Sequence, residues 1–252
     1  PYGRSTLGTE ESVRAITRDR IAQWHAEQVP TSAAVLVAVG DLDPQAAADT
    51  LASRFDVLRH RESPALVAPA WPTTSLVRIE ERERAQTALS LLFDGPSYGD
   101  ESRFDAELLG GVASGLGGRF FEELRDRQSL AYTVMARPFV RRASGTFAAY
   151  IATSPEKEEQ ARDSLLREFA RFTEEEVSAE ELDRARRYSI GAWQIRQASG
   201  ASVLGEIADA WLHGALEDIA RYPADLDAVT PARMRAVASR WFDPTRRVEG
   251  IV

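Results

Sequence analysis

The sequence predicts an α/β protein built from two related units, the first of them incomplete. Three observations carry that reading. Short apolar or alternating runs of strand length recur between segments of helical periodicity with recognisable caps. A charged, proline-rich stretch from His60 through Pro64, Pro69 and Pro72 separates a short first part from a long second one. One segment also echoes another. Val13-Arg-Ala-Ile-Thr-Arg-Asp-Arg-Ile21 resembles Leu226-Asp-Ala-Val-Thr-Pro-Ala-Arg-Met234, and an aromatic residue, a proline (Pro30, Pro244) and a valine-containing run follow each copy. The expected boundaries are a domain remnant over 1–63, a linker over 64–71 and a second domain over 72–252.

In the first part, Thr9 followed by Glu10 and Glu11 reads as a helix start, and Thr17 as the cap of a second helix with Ile21 and Trp24 on one face. The apolar run 33–39 (AAVLVAV) reads as a strand buried on both faces. Asp43-Pro44 opens another helix, whose Ala47, Leu51 and Phe55 are spaced to face a core.

In the second part, 76–80 and 87–93 read as strands. A helix is expected over 102–110, then a glycine loop, then a helix over 119–127. Segments 129–140 and 145–153 read as a strand pair about an Arg141-Arg142 turn. Ser154-Pro155-Glu156 opens a helix to about Phe172. Ser178 and Glu181 form a capping box for a helix through Trp193. Further helix is expected at 203–212, a Thr230-capped helix to Trp241, and a strand from Val248.

Composition narrows the function. Of 252 residues, 44% are hydrophobic and 28% charged, an ordinary globular balance. A net charge of −8 argues against nucleic acid as a partner. No apolar run approaches the roughly 18 residues of a membrane helix. The chain has no cysteine, and Lys157 is its only lysine. The expectation is a soluble protein of the bacterial cytoplasm or periplasm. The start at Pro1-Tyr2-Gly3 leads us to expect a fragment of something longer.

The most informative stretch runs from Leu108 to Met135. Gly110, Gly111, Gly115, Gly117 and Gly118 precede the helix-like RFFEELRDR and the strand-like SLAYTVM. The glycines do not make a phosphate loop: Leu116 stands where the P-loop needs lysine, and Phe120 where G-x-G-x-x-G needs glycine. His25, His60 and His213 are too scattered for a catalytic metal, so no metal ligands are expected. Two polar side chains remain. Arg125 should sit near the end of its helix. Tyr132 should lie on a strand, sharing a face with Leu130 and Val134. The pair can serve a substrate, or simply a helix terminus and sheet packing.

Gly117-Gly118-Arg-Phe-Phe-Glu-Glu-Leu-Arg125-Asp126 with Ser129-Leu-Ala-Tyr132-Thr-Val134 closely resembles the C-terminal domain signature of the pitrilysin-type (insulinase-like) zinc metallopeptidases. Pro1-Tyr2-Gly3-Arg4, Gly8-Thr9-Glu10-Glu11, Ile16-Thr17 and Val37-Ala-Val-Gly-Asp41 resemble the later part of that family's N-terminal domain. Tyr150 to Glu156 and Glu180-Glu181-Leu182 match the C-terminal pattern.

The resemblance implies two homologous α/β (α+β) domains, each a mostly antiparallel sheet backed by helices. It implies a peptide substrate that adds to a strand edge. It casts Arg125 and Tyr132 as groups that hydrogen-bond the substrate near the scissile bond, with Gly115, Gly117 and Gly118 as a substrate-binding loop. The family's zinc motif, H-x-x-E-H, is absent from the sequence, so zinc is expected in a missing N-terminal domain or a zinc-bearing partner subunit. The chain alone should be inactive, and exposed apolar surface around Val35–Val39 makes a homodimer an expectation. The alternative is a non-catalytic subunit of a two-chain processing-peptidase-like or cytochrome bc core-like complex.

Overall fold

The computed structural model describes residues 5–29, 34–56, 66–115 and 117–252. The chain divides into two compact units, 1–65 and 66–252.

Among its described residues the first unit holds three helices: α1 (Glu10–Arg14), α2 (Arg18–Gln28) and α3 (Pro44–Arg54). Their caps are those the sequence predicts. The Thr9 side chain accepts from the Ser12 amide, Thr17 from Arg20 and Asp43 from Ala46. No residue of these helices is buried, and Val13, Ile16, Ile21, Trp24 and Phe55 stand exposed. The predicted core face of α3 is therefore only half-covered at Ala47 and Leu51. The predicted strand over 33–39 is not formed: residues 34–39 have no ladder partner among the described residues, and Ala33 lies outside them. An apolar run becomes a strand only where a neighbour accepts its hydrogen bonds.

The second unit is built on one five-stranded sheet, in the order β1-β5-β2-β4-β3. Its strands are β1 (Leu76–Ile79), β2 (Thr87–Gly95), β3 (Thr133–Val140), β4 (Gly145–Thr153) and β5 (Val248–Ile251). Only β1 and β5 pair parallel; the other three pairings are antiparallel. Alternation sets the faces. Leu89, Leu91 and Phe93 on β2, Phe147, Ala149 and Ile151 on β4, and Val134 and Ala136 on β3 are all buried.

Helices α4 (Arg103–Ser114), α5 (Glu158–Glu174), α6 (Ala179–Gln197), α7 (Gly200–His213), α8 (Leu216–Asp227) and α9 (Pro231–Trp241) complete the unit. Phe169 of α5 is the hub of the core. Its ring lies 4.7 Å from Phe93, 4.8 Å from Phe242 and 5.3 Å from Phe120. Each such aromatic contributes on the order of 2–3 kcal/mol by burial alone.

Two sequence expectations change here. Helix α4 runs to Ser114, so Gly110 and Gly111 are helical and belong to no loop. Both are packing glycines. A Cβ on Gly110 would lie 3.3 Å from the Ala136 oxygen and 3.2 Å from Pro138, and one on Gly111 would lie 3.2 Å from Ala185. Helix α4 therefore rests directly on β3 and α6, and Ser114 Oγ donates to the Ala136 carbonyl at 2.7 Å. Helix α8 goes unpredicted, because Pro223 interrupts its pattern.

The internal echo has one local structure in both copies. A helix ends, a threonine caps the next, and that helix begins: Thr17 before α2, Thr230 before α9.

Candidate functional site

Arg125 lies on a helical turn, Phe121–Arg127, wound as a π-helix. The wide turn carries through to its end, where the Gln128 amide donates to the Glu123 carbonyl at 3.1 Å and the Leu130 amide to that of Leu124 at 2.9 Å. Between them Ser129 adopts φ +50°, a left-handed conformation uncommon for a side-chain-bearing residue.

Three neighbours hold this corner. Lys157 Nζ donates to the Ser129 oxygen at 3.0 Å, and the buried Thr153 hydroxyl to that of Leu130 at 2.6 Å. The Gln128 amide donates to Glu123 at 3.0 Å, while its oxygen accepts from Ser164 at 2.9 Å.

The corner corrects the placement of Tyr132. Strand β3 begins at Thr133, so Tyr132 precedes it and does not share the face of Leu130 and Val134. Those two are buried, whereas Tyr132 is 80% exposed. Alternation is imposed only on ladder residues, and the ladder begins at Thr133, opposite Ala152.

Arg125 and Tyr132 do come together. The guanidinium carbon sits 4.8 Å from the Tyr132 ring and 4.2 Å from that of Phe121. Asp126 approaches Arg125 only to 4.0 Å. The pair therefore presents a clamped cation and a solvent-facing phenol, both able to donate hydrogen bonds.

Tyr132 borders two concavities. A cleft of about 860 Å³ opens on one side, lined by Phe104, Phe121, Val134, Ala136, Tyr188 and Tyr222 among others. A groove of about 410 Å³ lies on the other, lined by Gln86, Arg125, Ser154 and Lys157 as well as Tyr132.

The glycines expected to form a substrate-binding loop have local duties. A Cβ on Gly115 would lie 2.4 Å from the Gly111 oxygen. One on Gly118 would lie 2.8 Å from the oxygens of Val112 and Ala113. Both let the chain fold back onto the end of α4. Gly117 takes φ +74° and faces open space. Gly115 reaches the larger cleft; Gly117 and Gly118 line neither concavity.

The larger cleft also holds a group that sequence reasoning missed. Glu107 accepts a hydrogen bond from the Tyr222 hydroxyl. Burial pushes the Glu107 carboxyl up, against the pull of hydrogen bonds from Tyr222 and Ser189. Burial and the neighbouring Glu107 push the Tyr222 phenol up as well. Among 39 acidic residues no spacing singles out Glu107, and only the fold buries it.

The described residues contain no grouping of three or more His, Cys, Asp or Glu side chains that could hold a metal ion. His25 and His213 fall in α2 and α7, and His60 lies outside the described residues. The donor set here does not fit a zinc ion. No helix among the described residues is long and apolar enough to cross a membrane.

The profile of the peptidase M16 inactive domain matches residues 15–188. An uncharacterized zinc protease of Mycobacterium tuberculosis is 28% identical over 165 residues, covering 62% of this chain and 37% of that protein. One of Bacillus subtilis is 23% identical over 245 residues, covering 95% of this chain and 59% of that protein. The chain thus spans less than two thirds of the length of these curated relatives.

The solved peptidase M16 inactive domain from Pseudomonas fluorescens shares the fold with a TM-score of 0.88 at 24% identity, covering 100% of this chain and 61% of that one. A chain of Complex III2 from Candida albicans does so at 0.78 and 14% identity, covering 99% of this chain and 62% of that one. By the profile match over most of its length, the chain belongs to the peptidase M16 family and carries that family's inactive domain.

Proposed function

We propose that this chain is the substrate-binding half of a zinc-dependent peptidase of the M16 type. In this reading residues 72–252 form the substrate-contacting domain and residues 1–63 the end of a zinc-type domain. Arg125 and Tyr132 donate hydrogen bonds to a peptide carbonyl beside the scissile bond and strengthen them as charge develops on that oxygen. Zinc belongs to a separate domain or partner subunit.

One observation carries the reading. Tyr132 is 80% exposed, yet the turn just before it is held by Lys157 at the Ser129 carbonyl and by Thr153 at the Leu130 carbonyl, and its ring packs against Arg125. A tyrosine kept for packing would turn its ring inward, as its neighbours Leu130 and Val134 bury their side chains. A preorganised donor facing solvent costs little to reorganise when a substrate arrives.

The test is peptide hydrolysis by the full-length protein, beside thermal melting. Tyr132→Phe removes only the hydroxyl and should lower turnover on the order of 10²–10³, with the melting temperature unchanged. Arg125→Lys keeps the charge but loses the planar fork and should also impair turnover. The likeness in fold to a chain of Complex III2 favours a second reading, a non-catalytic partner subunit. That reading predicts that both substitutions are tolerated.

A further inference from the structure

We infer that the groove beside Tyr132 is a subsite for an acidic side chain of the bound peptide, and that Lys157 determines this preference. The inference rests on the substrate-binding reading above and names the chemistry of one part of that site.

Charge carries the argument. The chain has a net charge of −8 and a single lysine, and that lysine stands here. Arg125 and Lys157 are the two charged side chains among the residues lining the groove, and no carboxylate lines it. Of their acidic neighbours in the chain, Asp126 is 58% exposed and 4.0 Å from Arg125, and the exposed Glu156 acts on Ser154 and Lys157 without itself lining the groove.

Lys157 spends one of its three donors on the Ser129 carbonyl at 3.0 Å, which fixes the ammonium at the groove and leaves two donors free. Gln86 adds an uncharged hydrogen-bonding group to the same walls. A volume of about 410 Å³ suits one side chain of Asp or Glu size with its water. The Tyr132 ring is one wall, so a peptide held by the Tyr132 hydroxyl passes directly over the groove.

The test is binding, so it does not depend on turnover. Fluorescent peptides blocked at both ends, each with one Glu scanned through a neutral background, are titrated against the full-length protein beside their Gln counterparts. One position should favour Glu over Gln by about fivefold, the yield of a partly exposed charge pair. The preference should shrink between about 0.05 and 0.5 M salt.

Lys157→Met should abolish the preference, and Lys157→Arg should keep it. A strut that only holds the Ser129 carbonyl would, when removed, weaken Glu and Gln peptides alike. That result, an unchanged preference in Lys157→Met, or no preferred position in the wild-type protein overturns the inference. Tyr132→Phe judges the other reading separately: it should lower turnover of both peptides and leave their binding ratio intact.

Discussion

Glu181 ties the chain's clearest sequence signal to a measurable stability. It closes the capping box on α6, accepting from the Ser178 amide at 2.8 Å, and also receives Arg119 Nε at 2.6 Å and Nη2 at 3.0 Å. The Arg119 side chain is 9% exposed and Glu181 20%. Hydrogen bonds from Arg119 and from the Ser178 amide outweigh burial and hold the Glu181 carboxyl down at about 2. Because the folded pKa lies below the unfolded one, the pair's contribution is full above the ordinary glutamate range. It is lost as pH falls from about 4.5 toward 2.

A shift of that size, discounted for the solvent still reaching the carboxylate, is worth about 2 kcal/mol. Glu181→Gln preserves shape and the cap acceptor but leaves Arg119 without a counter-charge. At pH 7 it should lower the melting temperature by about 4–8 °C. Urea unfolding of both proteins between pH 7 and pH 3 is the assay, and the gap should narrow below about pH 4.5, where the carboxylate of the unfolded wild type takes up its proton. A gap that is absent at pH 7, or that stays constant as pH falls, would refute the coupling.

Two further stability predictions follow from close approaches and burial. Gly118→Ala should destabilise by about 2 kcal/mol or more, because its Cβ would meet two backbone oxygens at 2.8 Å that cannot move independently of α4. Gly110→Ala, with contacts at 3.2–3.3 Å offset by the helix preference of alanine, should cost less; denaturant midpoints should rank the two in that order. Glu107→Gln should raise the melting temperature at pH 7, since burial disfavours the charged carboxylate and glutamine can still accept from Tyr222. The folded-state pKa of Glu107 is raised, so ionisation weakens the wild type as pH rises above the ordinary carboxylate range. The advantage of the variant should therefore vanish below that range, and an advantage that persists in acid would be wrong for this cause.

The sequence makes legible whatever rests on local rules. Threonine, serine and aspartate caps place α1, α2, α3, α6 and α9, and alternation places β2 and β4 with their inward faces. Resemblance supplies the pairing of Arg125 with Tyr132, and the two rings of residues 121 and 132 do enclose the guanidinium. Illegible features depend on distant partners. Gly110 and Gly111 look like loop residues because nothing local reveals β3 and Ala185 against them. Residues 34–39 look like a strand because an apolar run does not disclose whether a ladder partner exists. Helix α8 hides behind Pro223, which lies inside it.

The site itself arises where two periodicities fail together. A regular α-helix through residue 127 running into a strand from residue 129 would place Tyr132 inward beside Leu130. Instead Leu130 and Val134 face inward while Tyr132 between them is turned out: after the π-turn and left-handed Ser129 the chain joins the ladder only at Thr133, so strand alternation does not extend back to Tyr132. Both departures cost free energy, on the order of 1–3 kcal/mol for a side-chain-bearing residue in the left-handed region. They persist because Lys157, Thr153 and Ser164 hold the corner from the far side, through bonds that no nearby sequence pattern encodes. Of those three, only Lys157 also reaches the groove as a charge. Its substitution therefore separates the two tasks: methionine removes strut and charge together, while arginine restores the charge. A site that only needed the strut would respond to Lys157→Met equally for every peptide, and one that reads its substrate would not.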